Sequence, residues 1–318
     1  MATRLYSQNR SLIVGLALLL TNSLGYGAAE DEFDLLVVPA IIAATNVQKP
    51  GPGNTGPKGA LTKQEGSISV TTDNTVIENI DLKGCIQVKA NNVVIRNVRI
   101  DCGGFYAIQI VSGFENLTVE DTEMFGMKSS GVLGSNFTLR RVNIHDSGGD
   151  AVKPSTNVLI EDSWFHKLGT NVGSHSDGLQ MVSGGNVTLR GSNIDMPATL
   201  TGYTNSQCMI IQTNNGPIDN VLIEKNWLNG GGWCVQINDK GRGHGSPTNV
   251  IIRDNLFGPD CSFGTILVRG ENTDTTISNN IFELTGEELG TQVSFDTCGN
   301  DFWAFKAVLD LTTICDDV

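Results

Sequence analysis

One short pattern recurs along most of the chain and limits its fold more than any other feature. Each copy starts with Asn or Asp, continues with three residues that favour β-structure and two polar residues, and ends with a second apolar pair. Nine copies begin at Asn74, Asn92, Asn116, Asn136, Asn157, Asn186, Asn220, Asn249 and Asp274. A tandem repeat of this length is typical of a solenoid, in which each copy forms one coil and extra residues form loops.

A third short apolar segment follows later in each copy, as at Ala107–Ile110 and Ala151–Pro154. Three strands per coil predict an all-β, right-handed parallel β-helix of about eight to nine coils, with three parallel sheets and capped ends. Alternation predicts that Ile95, Val98 and Ile100 face the interior. The Asn that opens each repeat is predicted to form an internal ladder of stacked side-chain amides.

The two ends of the chain do not follow the repeat. Residues 1–29 contain two arginines, a short apolar run and a small-residue site, which predict a cleaved signal peptide rather than a membrane anchor. Residues 30–73 are predicted to form an N-terminal cap and linker. The β-helix itself is predicted over 74–284, and a C-terminal cap or tail over 285–318.

Charge and cysteine content narrow the compartment and the partners. The chain has 21 Lys and Arg against 34 Asp and Glu, a net charge of −13, which argues against nucleic acid or an anionic membrane as a partner. Its seven cysteines fit an oxidising compartment, so we expect disulfides, for example Cys298 with Cys315, and secretion to the periplasm or the extracellular space. We expect a monomer.

The repeat resembles that of the pectate-lyase-like superfamily of right-handed parallel β-helix proteins, over roughly residues 64–285. The resemblance implies the fold. It is less specific for the reaction, because this fold hosts lyases, hydrolases, esterases, epimerases and adhesins. In lyases of this fold the base is commonly Lys or Arg, and Ca²⁺ bound by Asp often neutralises the acid group of the substrate.

Aligning the third strands predicts one row of outward side chains along the solenoid. The row consists of Gln87, Gln109, Leu133, Lys153, Gln180, Gln212, Gln236 and Leu267. Such amides would bind the hydroxyls of an extended sugar chain, or would form a Gln ladder that only stabilises the fold. The turns before Gln180 and Gln212 and after Gln236 are the long ones, and long loops on a solenoid concentrate on its binding face.

Two aspartates are predicted to meet on this face. Asp150 precedes Lys153 by three residues, and Asp177 precedes Gln180 by three, so the two carboxylates should occupy equivalent positions on neighbouring coils. An Asp before a strand is also a common turn residue that accepts backbone N–H groups, and either aspartate would fit that role.

Three of the four histidines fall in the same region of the sequence. His145, His166 and His175 lie in the turns that lead into the strands of Lys153 and Gln180. A lone exposed His is more often a surface residue than a catalyst. Three on two adjacent coils, beside two aspartates and a lysine, instead favour a catalytic site.

These features predict a secreted polysaccharide lyase that cleaves an acidic, uronic-acid polysaccharide such as alginate or pectate by β-elimination. Lys153 would act as the base or neutralise the substrate carboxylate, with His175 or His166 as its acid–base partner. Asp150, Asp177 and Asp146 would orient these groups or hold Ca²⁺, and His145 would complete the cluster. Neighbouring sugars would contact Gln180, Gln212, Gln236, Trp233, Lys240, Arg242 and Lys167.

Two other functions remain open from sequence. An inverting glycoside hydrolase of the polygalacturonase-like type needs two carboxylates about 6.5–9.5 Å apart, which Asp150 and Asp177 could supply. The aspartate pair and the Arg-Ile-Lys motif of that type are missing, although Gly243–Gly245 reads Gly-His-Gly. A non-catalytic, glycan-binding β-helix would need only the outward row of amides and the long loops beside it.

Overall fold

The computed structural model describes residues 48–197, 200–270, 274–278, 280–282, 292–296 and 302–305. Several predictions fall outside the described residues. They are the signal peptide over 1–29, the part of the N-terminal cap and linker over 30–47, and the disulfide between Cys298 and Cys315. From Lys49 onward the chain forms one compact unit. The described ranges hold no helix that could cross a membrane.

Within the described ranges, thirty strands form three sheets. Sheet 1 contains β1 (Thr62–Glu65), β4 (Ile80–Lys83), β7 (Arg99–Asp101), β10 (Glu123–Phe125), β13 (Asn143–Ile144), β16 (Trp164–His166), β19 (Asn193–Met196), β22 (Trp227–Gly230), β25 (Leu256–Phe257) and β28 (Ile281–Phe282). Sheet 2 contains β2 (Ile68–Val70), β5 (Ile86–Val88), β8 (Tyr106–Ile110), β11 (Ser130–Gly134), β14 (Asp150–Pro154), β17 (Ser176–Met181), β20 (Asn205–Gln212), β23 (Trp233–Asn238), β26 (Gly264–Arg269), β29 (Gln292–Asp296) and β30 (Phe302–Phe305). Sheet 3 contains β3 (Val76–Glu78), β6 (Val94–Arg96), β9 (Leu117–Glu120), β12 (Phe137–Arg140), β15 (Thr156–Glu161), β18 (Gly184–Arg190), β21 (Ile218–Glu224), β24 (Thr248–Arg253) and β27 (Thr275–Ser278).

The chain visits sheets 2, 3 and 1 in turn, so every third strand is a neighbour in the same sheet. All neighbouring strands are parallel except β29 and β30, which pair antiparallel. The predicted right-handed parallel β-helix is therefore confirmed. The strands begin earlier than the predicted boundary at residue 74, because β1 and β2 already pair with β4 and β5.

The interior is filled by the apolar residues that alternation predicted. Ile95, Val98 and Ile100 are fully buried. Ile160 and Phe165, three coils further along, are fully buried as well. One hydrophobic cluster runs through the described coils from Val70 to Val268. Each coil thus buries its apolar face only by stacking on its neighbours, as in other solenoids.

The Asn residues that open the repeats form a ladder on the outside of the solenoid, so the prediction of an internal ladder was wrong. Their backbone is left-handed, with φ between 50° and 66° for these Asn residues, a conformation that Asn tolerates better than other non-glycine residues. Their side chains bond from coil to coil: Asn116 Nδ2 donates to Asn92 Oδ1 at 2.9 Å, and Asn220 Nδ2 donates to Asn186 Oδ1 at 2.8 Å.

The internal ladder lies at the tight turn between sheets 3 and 1. Asn226 Nδ2 donates to Asn255 Oδ1, and Asn255 Nδ2 donates to Asn280 Oδ1, both at 2.9 Å. In the preceding coils Ser163 and Ser192 occupy the same place and accept backbone N–H groups in the same way. Each buried side chain at this turn therefore satisfies the backbone of its neighbour.

Sheet 3 ends in a row of strictly alternating charge. The paired residues are Glu78, Arg96, Glu120, Arg140, Glu161, Arg190, Glu224 and Arg253. Five of the seven neighbouring pairs form ion pairs, the shortest being Arg96 Nη2 to Glu78 Oε2 and Arg190 Nε to Glu224 Oε1, both at 2.6 Å. We name this set the charge row.

A segment before the first strand crosses the side of several coils, and we name residues 50–58 the strap. Asn193 Nδ2 donates to Pro50 O, Gly56 N donates to Arg141 O, and Lys58 N donates to Asn97 Oδ1. These partners belong to three different coils. The described part of the predicted cap and linker thus lies along sheet 1 and its turns.

Candidate functional site

The outward face of sheet 2 presents the row predicted from sequence, with one shift of register. The residues that lie side by side are Gln87, Gln109, Leu133, Lys153, Gln180, Ile210, Gln236 and Leu267. Ile210 takes the place expected for Gln212, because β20 pairs with β17 in a register two residues away from the one that the sequence alignment assumed. β20 also has an extra residue opposite the Ser176–Asp177 step, and such a β-bulge moves every later residue by one position.

Lys153 is held by a buried carboxylate on its own strand. Its ammonium lies 2.9 Å from Asp150 Oδ2, and the lysine side chain is 27% exposed while that of Asp150 is 2% exposed. Burial, followed by the nearby charge of Asp177, raises the pKa of Asp150 to about 6. The ammonium is thus fixed at the surface of sheet 2 by a partner that a ligand cannot reach.

His175 is held in the same way on the next coil. Its Nδ1 lies 3.2 Å from Asp177 Oδ2, and the imidazole is 57% exposed while the Asp177 side chain has no exposed surface. Gln180 Nε2 also donates to Asp177 Oδ2, at 3.2 Å. The hydrogen bond to Asp177 raises the pKa of His175 more than partial burial lowers it, and Asp150 adds to the rise.

The two pairs are joined to each other. The backbone N–H of Asp177 donates to Asp150 Oδ1 at 2.8 Å, so the two aspartates lie in contact beneath the two cations. Asp177 Oδ1 is buried and has no hydrogen-bond partner. The structure therefore brings together Asp150, Lys153, Asp177, His175 and Gln180, as the spacing of the repeats predicted. We name these five residues the dyad site.

His145 and His166 lie elsewhere. His166 belongs to β16 and pairs with Asp195, which places both histidines at the end of sheet 1 rather than on sheet 2. Their rings stack on each other at 5.1 Å between centroids, His145 also stacks on Phe125, and His166 stacks on Trp164. We name these four rings the aromatic stack.

Neither histidine of the aromatic stack is exposed and held by a buried aspartate, as His175 is. His145 is closed by carboxylates on both sides, with Nδ1 2.6 Å from Asp146 and Nε2 3.0 Å from Glu123. Burial acts to lower the pKa of His145, but these two hydrogen bonds raise it overall. Burial, together with the charge of His145, lowers the pKa of His166 to about 3, so His166 is neutral at ordinary pH.

Asp146 lies beside the aromatic stack and, contrary to the prediction, is not in contact with Asp150 or Asp177. It binds His145 and also accepts a hydrogen bond of 2.7 Å from the Tyr203 hydroxyl. Tyr203 leads into Thr204, whose hydroxyl lies 2.6 Å from that of Ser174, next to His175. Tyr203 had no signal in the repeat, because it lies in a long loop.

The residues predicted to bind neighbouring sugars differ in their exposure to solvent and in their place on the solenoid. Gln212 and Trp233 are each 8% exposed, so neither offers an open face. Gln236 accepts a hydrogen bond of 3.1 Å from Gln207, a residue outside the predicted set. Lys240 and Arg242 are exposed in the loop after β23, and Lys240 acts on the pKa of His175, whereas Lys167 is exposed at the end of sheet 1.

The described residues do not fit a Ca²⁺ ion. They contain no group of three or more His, Cys, Asp or Glu side chains suited to a metal. Asp150 Oδ2 faces the Lys153 ammonium and Asp177 Oδ2 faces His175, so a basic side chain already takes the place of a metal at each carboxylate. The ammonium of Lys153 therefore supplies positive charge at this site.

Among the residues that the structure describes, two disulfides join neighbouring coils where the chain enters sheet 2. Cys85 is bonded to Cys102, and Cys234 to Cys261. Cys208 is a buried thiol, and burial raises its pKa. The disulfides agree with an oxidising compartment.

Comparison with known proteins gives likenesses of fold. No protein-family model matches the chain. No curated protein matches it either. An alginate lyase from Paenibacillus is 14% identical and matches over 69% of this chain and 98% of its own, with a TM-score of 0.42. The surface adhesin PfbA of Streptococcus pneumoniae is 13% identical over 83% of this chain and 80% of its own, with a TM-score of 0.45.

A third solved structure of this kind is the catalytic domain of an alpha-1,3-glucanase. It is 10% identical and matches over 74% of this chain and 60% of its own, with a TM-score of 0.34. The fold of the chain, as its own strand order shows, is a parallel β-helix. Because one fold can host many functions, a function for this chain has to be argued from its own residues.

Proposed function

We propose that this chain is a secreted polysaccharide lyase that cleaves a uronic-acid polymer by β-elimination at the dyad site. One observation carries the proposal. The two side chains that reach solvent, Lys153 and His175, are bases or cations, and each rests on a buried aspartate. A site that offers cations and hides its carboxylates is complementary to an anionic substrate, although the chain as a whole has a net charge of −13.

The two exposed groups suit different steps of the reaction. Elimination removes the proton on the carbon next to the uronate carboxylate, leaving an enolate-like intermediate, and then breaks the glycosidic C–O bond. The ammonium of Lys153 would neutralise the carboxylate and so stabilise that intermediate. His175, oriented through Nδ1 by Asp177, would take the proton on Nε2 and return it to the departing oxygen.

The burial of Asp150 and Asp177 argues against an inverting glycoside hydrolase. An inverting hydrolase needs one carboxyl to protonate the leaving oxygen and a second to activate water, so both must touch the substrate or its water. Asp150 and Asp177 are 1% and 0% exposed and lie beneath Lys153, His175 and Gln180. They are better placed to position the cations than to act on a sugar.

The proposal is tested by the products formed from alginate, polygalacturonate and a neutral glycan. Ultraviolet absorbance reports the new C=C bond, and a reducing-end assay reports any cleavage. We expect both signals to rise together on a uronan. Reducing ends without absorbance would indicate a hydrolase, and binding without either would indicate a glycan-binding protein.

Variants then connect the reaction to the site. His175→Ala should lower turnover by a factor on the order of 10²–10⁴, the usual contribution of an acid–base group. Lys153→Met is made together with Asp150→Asn, so that no buried charge is left without a partner. Lys89→Ala, an exposed lysine just after β5, is the control. Full activity of either site variant would refute the proposed roles.

A further inference from the structure

The first coils of sheet 2 form a concavity, and of the predicted outward row only Gln87 and Gln109 line it. Its volume is about 390 Å³, within the range of small-ligand sites. Ser69, Phe105 and Tyr106 also line it, and none of the lining side chains is charged. Its chemistry therefore differs from that of the dyad site.

Phe105 is the most unusual residue of this concavity. Its side chain is 67% exposed, although a phenylalanine in water has no polar group to offset that exposure. The segment that carries it is fixed, because Cys102 is bonded to Cys85 and Gly104 packs against that disulfide. An exposed ring on a braced segment is pre-organised for stacking against a ligand.

The amides of the concavity lie next to this ring. Gln87 Nε2 donates to Gln109 Oε1 at 3.2 Å, which orients both side chains. A primary amide has two N–H donors and an oxygen that accepts two hydrogen bonds, so each Gln keeps unused capacity. Amides beside an aromatic face suit the hydroxyls and the apolar face of a pyranose ring.

The concavity lies on the same face of sheet 2 as the dyad site. Gln109 pairs with Leu133, and Leu133 pairs with Lys153, so two rungs separate Gln109 from Lys153. Rungs of a β-sheet are about 4.8 Å apart, which is close to the advance of one sugar in an extended chain. A glycan lying along the axis from Lys153 would therefore reach Gln109, and with it the concavity that Phe105 lines, with its third sugar.

We propose that Phe105, Gln87 and Gln109 form a remote sugar subsite, which binds a pyranose of the same glycan by ring stacking and hydroxyl contacts, without reading its carboxylate. The subsite rests on the function proposed above. It makes long oligosaccharides better ligands than short ones.

The test measures binding by calorimetry to the His175→Ala form of the full chain, which should not consume the ligand. The ligands are oligogalacturonates and oligomannuronates of six and two sugars. We expect Phe105→Ala to weaken binding of the hexasaccharide three- to tenfold, and to leave the disaccharide, which is too short to reach from Lys153 to the subsite, unchanged. Phe105→Trp should retain tight binding, and Val76→Ala, exposed on sheet 3, serves as the control.

A carboxyl-reduced, neutral hexasaccharide separates the two proposals. Loss of the carboxylates removes the contact with Lys153, but the effect of Phe105→Ala should remain, because no charged side chain lines the subsite. If the uronan assay fails and this effect persists, the subsite stands without the lyase. If Phe105→Ala binds every hexasaccharide as tightly as the parent, the subsite is refuted, whatever the outcome of the uronan assay.

Discussion

At His175 a single hydrogen bond sets both the direction and the basicity of the ring. Asp177 accepts from Nδ1 and so leaves Nε2 as the ring nitrogen that can exchange a proton, and it favours the imidazolium, which raises the pKa of His175 above 6.5. A base is most effective when its pKa is close to the working pH. The buried aspartate therefore moves the range in which the histidine can act as a base to higher pH.

This arrangement predicts the pH profile of activity. Because the neutral ring is the base, kcat/KM should rise with pH through the pKa of His175, with a midpoint above 6.5. Asp177→Asn removes the charge that raises this pKa, so the midpoint should move to lower pH, and the plateau should fall about 10- to 100-fold. Asp81→Asn, a carboxylate on β4 of sheet 1, is the control. A midpoint that does not move would show that His175 is not the base.

The sequence predicted this site through equivalent positions in the repeat, but it misplaced two histidines. Asp150 and Asp177 fall at the same distance before Lys153 and Gln180, and register alone brings such residues together. His145 and His166 also follow equivalent strands, yet they end sheet 1 before the chain turns. Spacing reports which coil a residue belongs to, whereas the turn decides which face it joins, and turns vary in length.

At the scale of the strand, the charge row holds each coil against the next in one register. Glu120, Glu161 and Glu224 each lie between an Arg on the coil below and an Arg on the coil above, so a slip of one residue would break all of these contacts. Glu224 is almost buried and binds both Arg190 and Arg253. Its pKa is lowered, because these hydrogen bonds outweigh the effect of burial.

The order of the charges, rather than their number, should matter for stability. Exchanging two neighbours, Glu161→Arg with Arg190→Glu, keeps the composition but places like charges opposite Arg140 and Glu224. We expect the free energy of unfolding in urea to fall by about 1–2 kcal/mol, and by less in 1 M salt. Exchanging the uncharged neighbours Thr188 and Leu222 is the control. Equal effects of the two exchanges would contradict this role.

The position of Gln212 shows why the register of a strand cannot always be predicted from the sequence. The segment Cys208–Ile211 is apolar at every position, so it carries no alternation from which its two faces could be read. The pairing of β20 with β17 then decides which residue joins the outward row. The charge row, in contrast, is visible in the sequence as Glu and Arg in turn at the first of the two polar positions of successive repeats, but a repeat defined only as polar there does not specify the alternation of charge.

At the scale of the whole molecule, the strap is an exception to nearest-neighbour packing. Coils of a solenoid contact only adjacent coils, and their unfolding can therefore proceed in steps. The strap reaches Asn193, Arg141 and Asn97 in three coils, so it couples parts of the stack that share no strand pair. Long-range contacts of this kind favour cooperative unfolding.

This coupling can be measured by calorimetry. Replacing Pro50–Pro57 with a Gly-Ser sequence of equal length, in the full chain, should broaden the thermal transition and lower the ratio of van't Hoff to calorimetric enthalpy. The same replacement in the exposed loop Lys240–His244 should leave that ratio unchanged. An unaltered ratio in the strap variant would mean that the coils cooperate without it.

The alternation of Glu and Arg has a consequence for how such a chain can change its length during evolution. Inserting or losing one turn of the solenoid would bring two acids or two bases face to face at the junction, whereas an even number of turns restores the pattern. Electrostatics therefore makes the two-turn block, and not the single turn, the unit in which this protein can grow or shrink without a penalty.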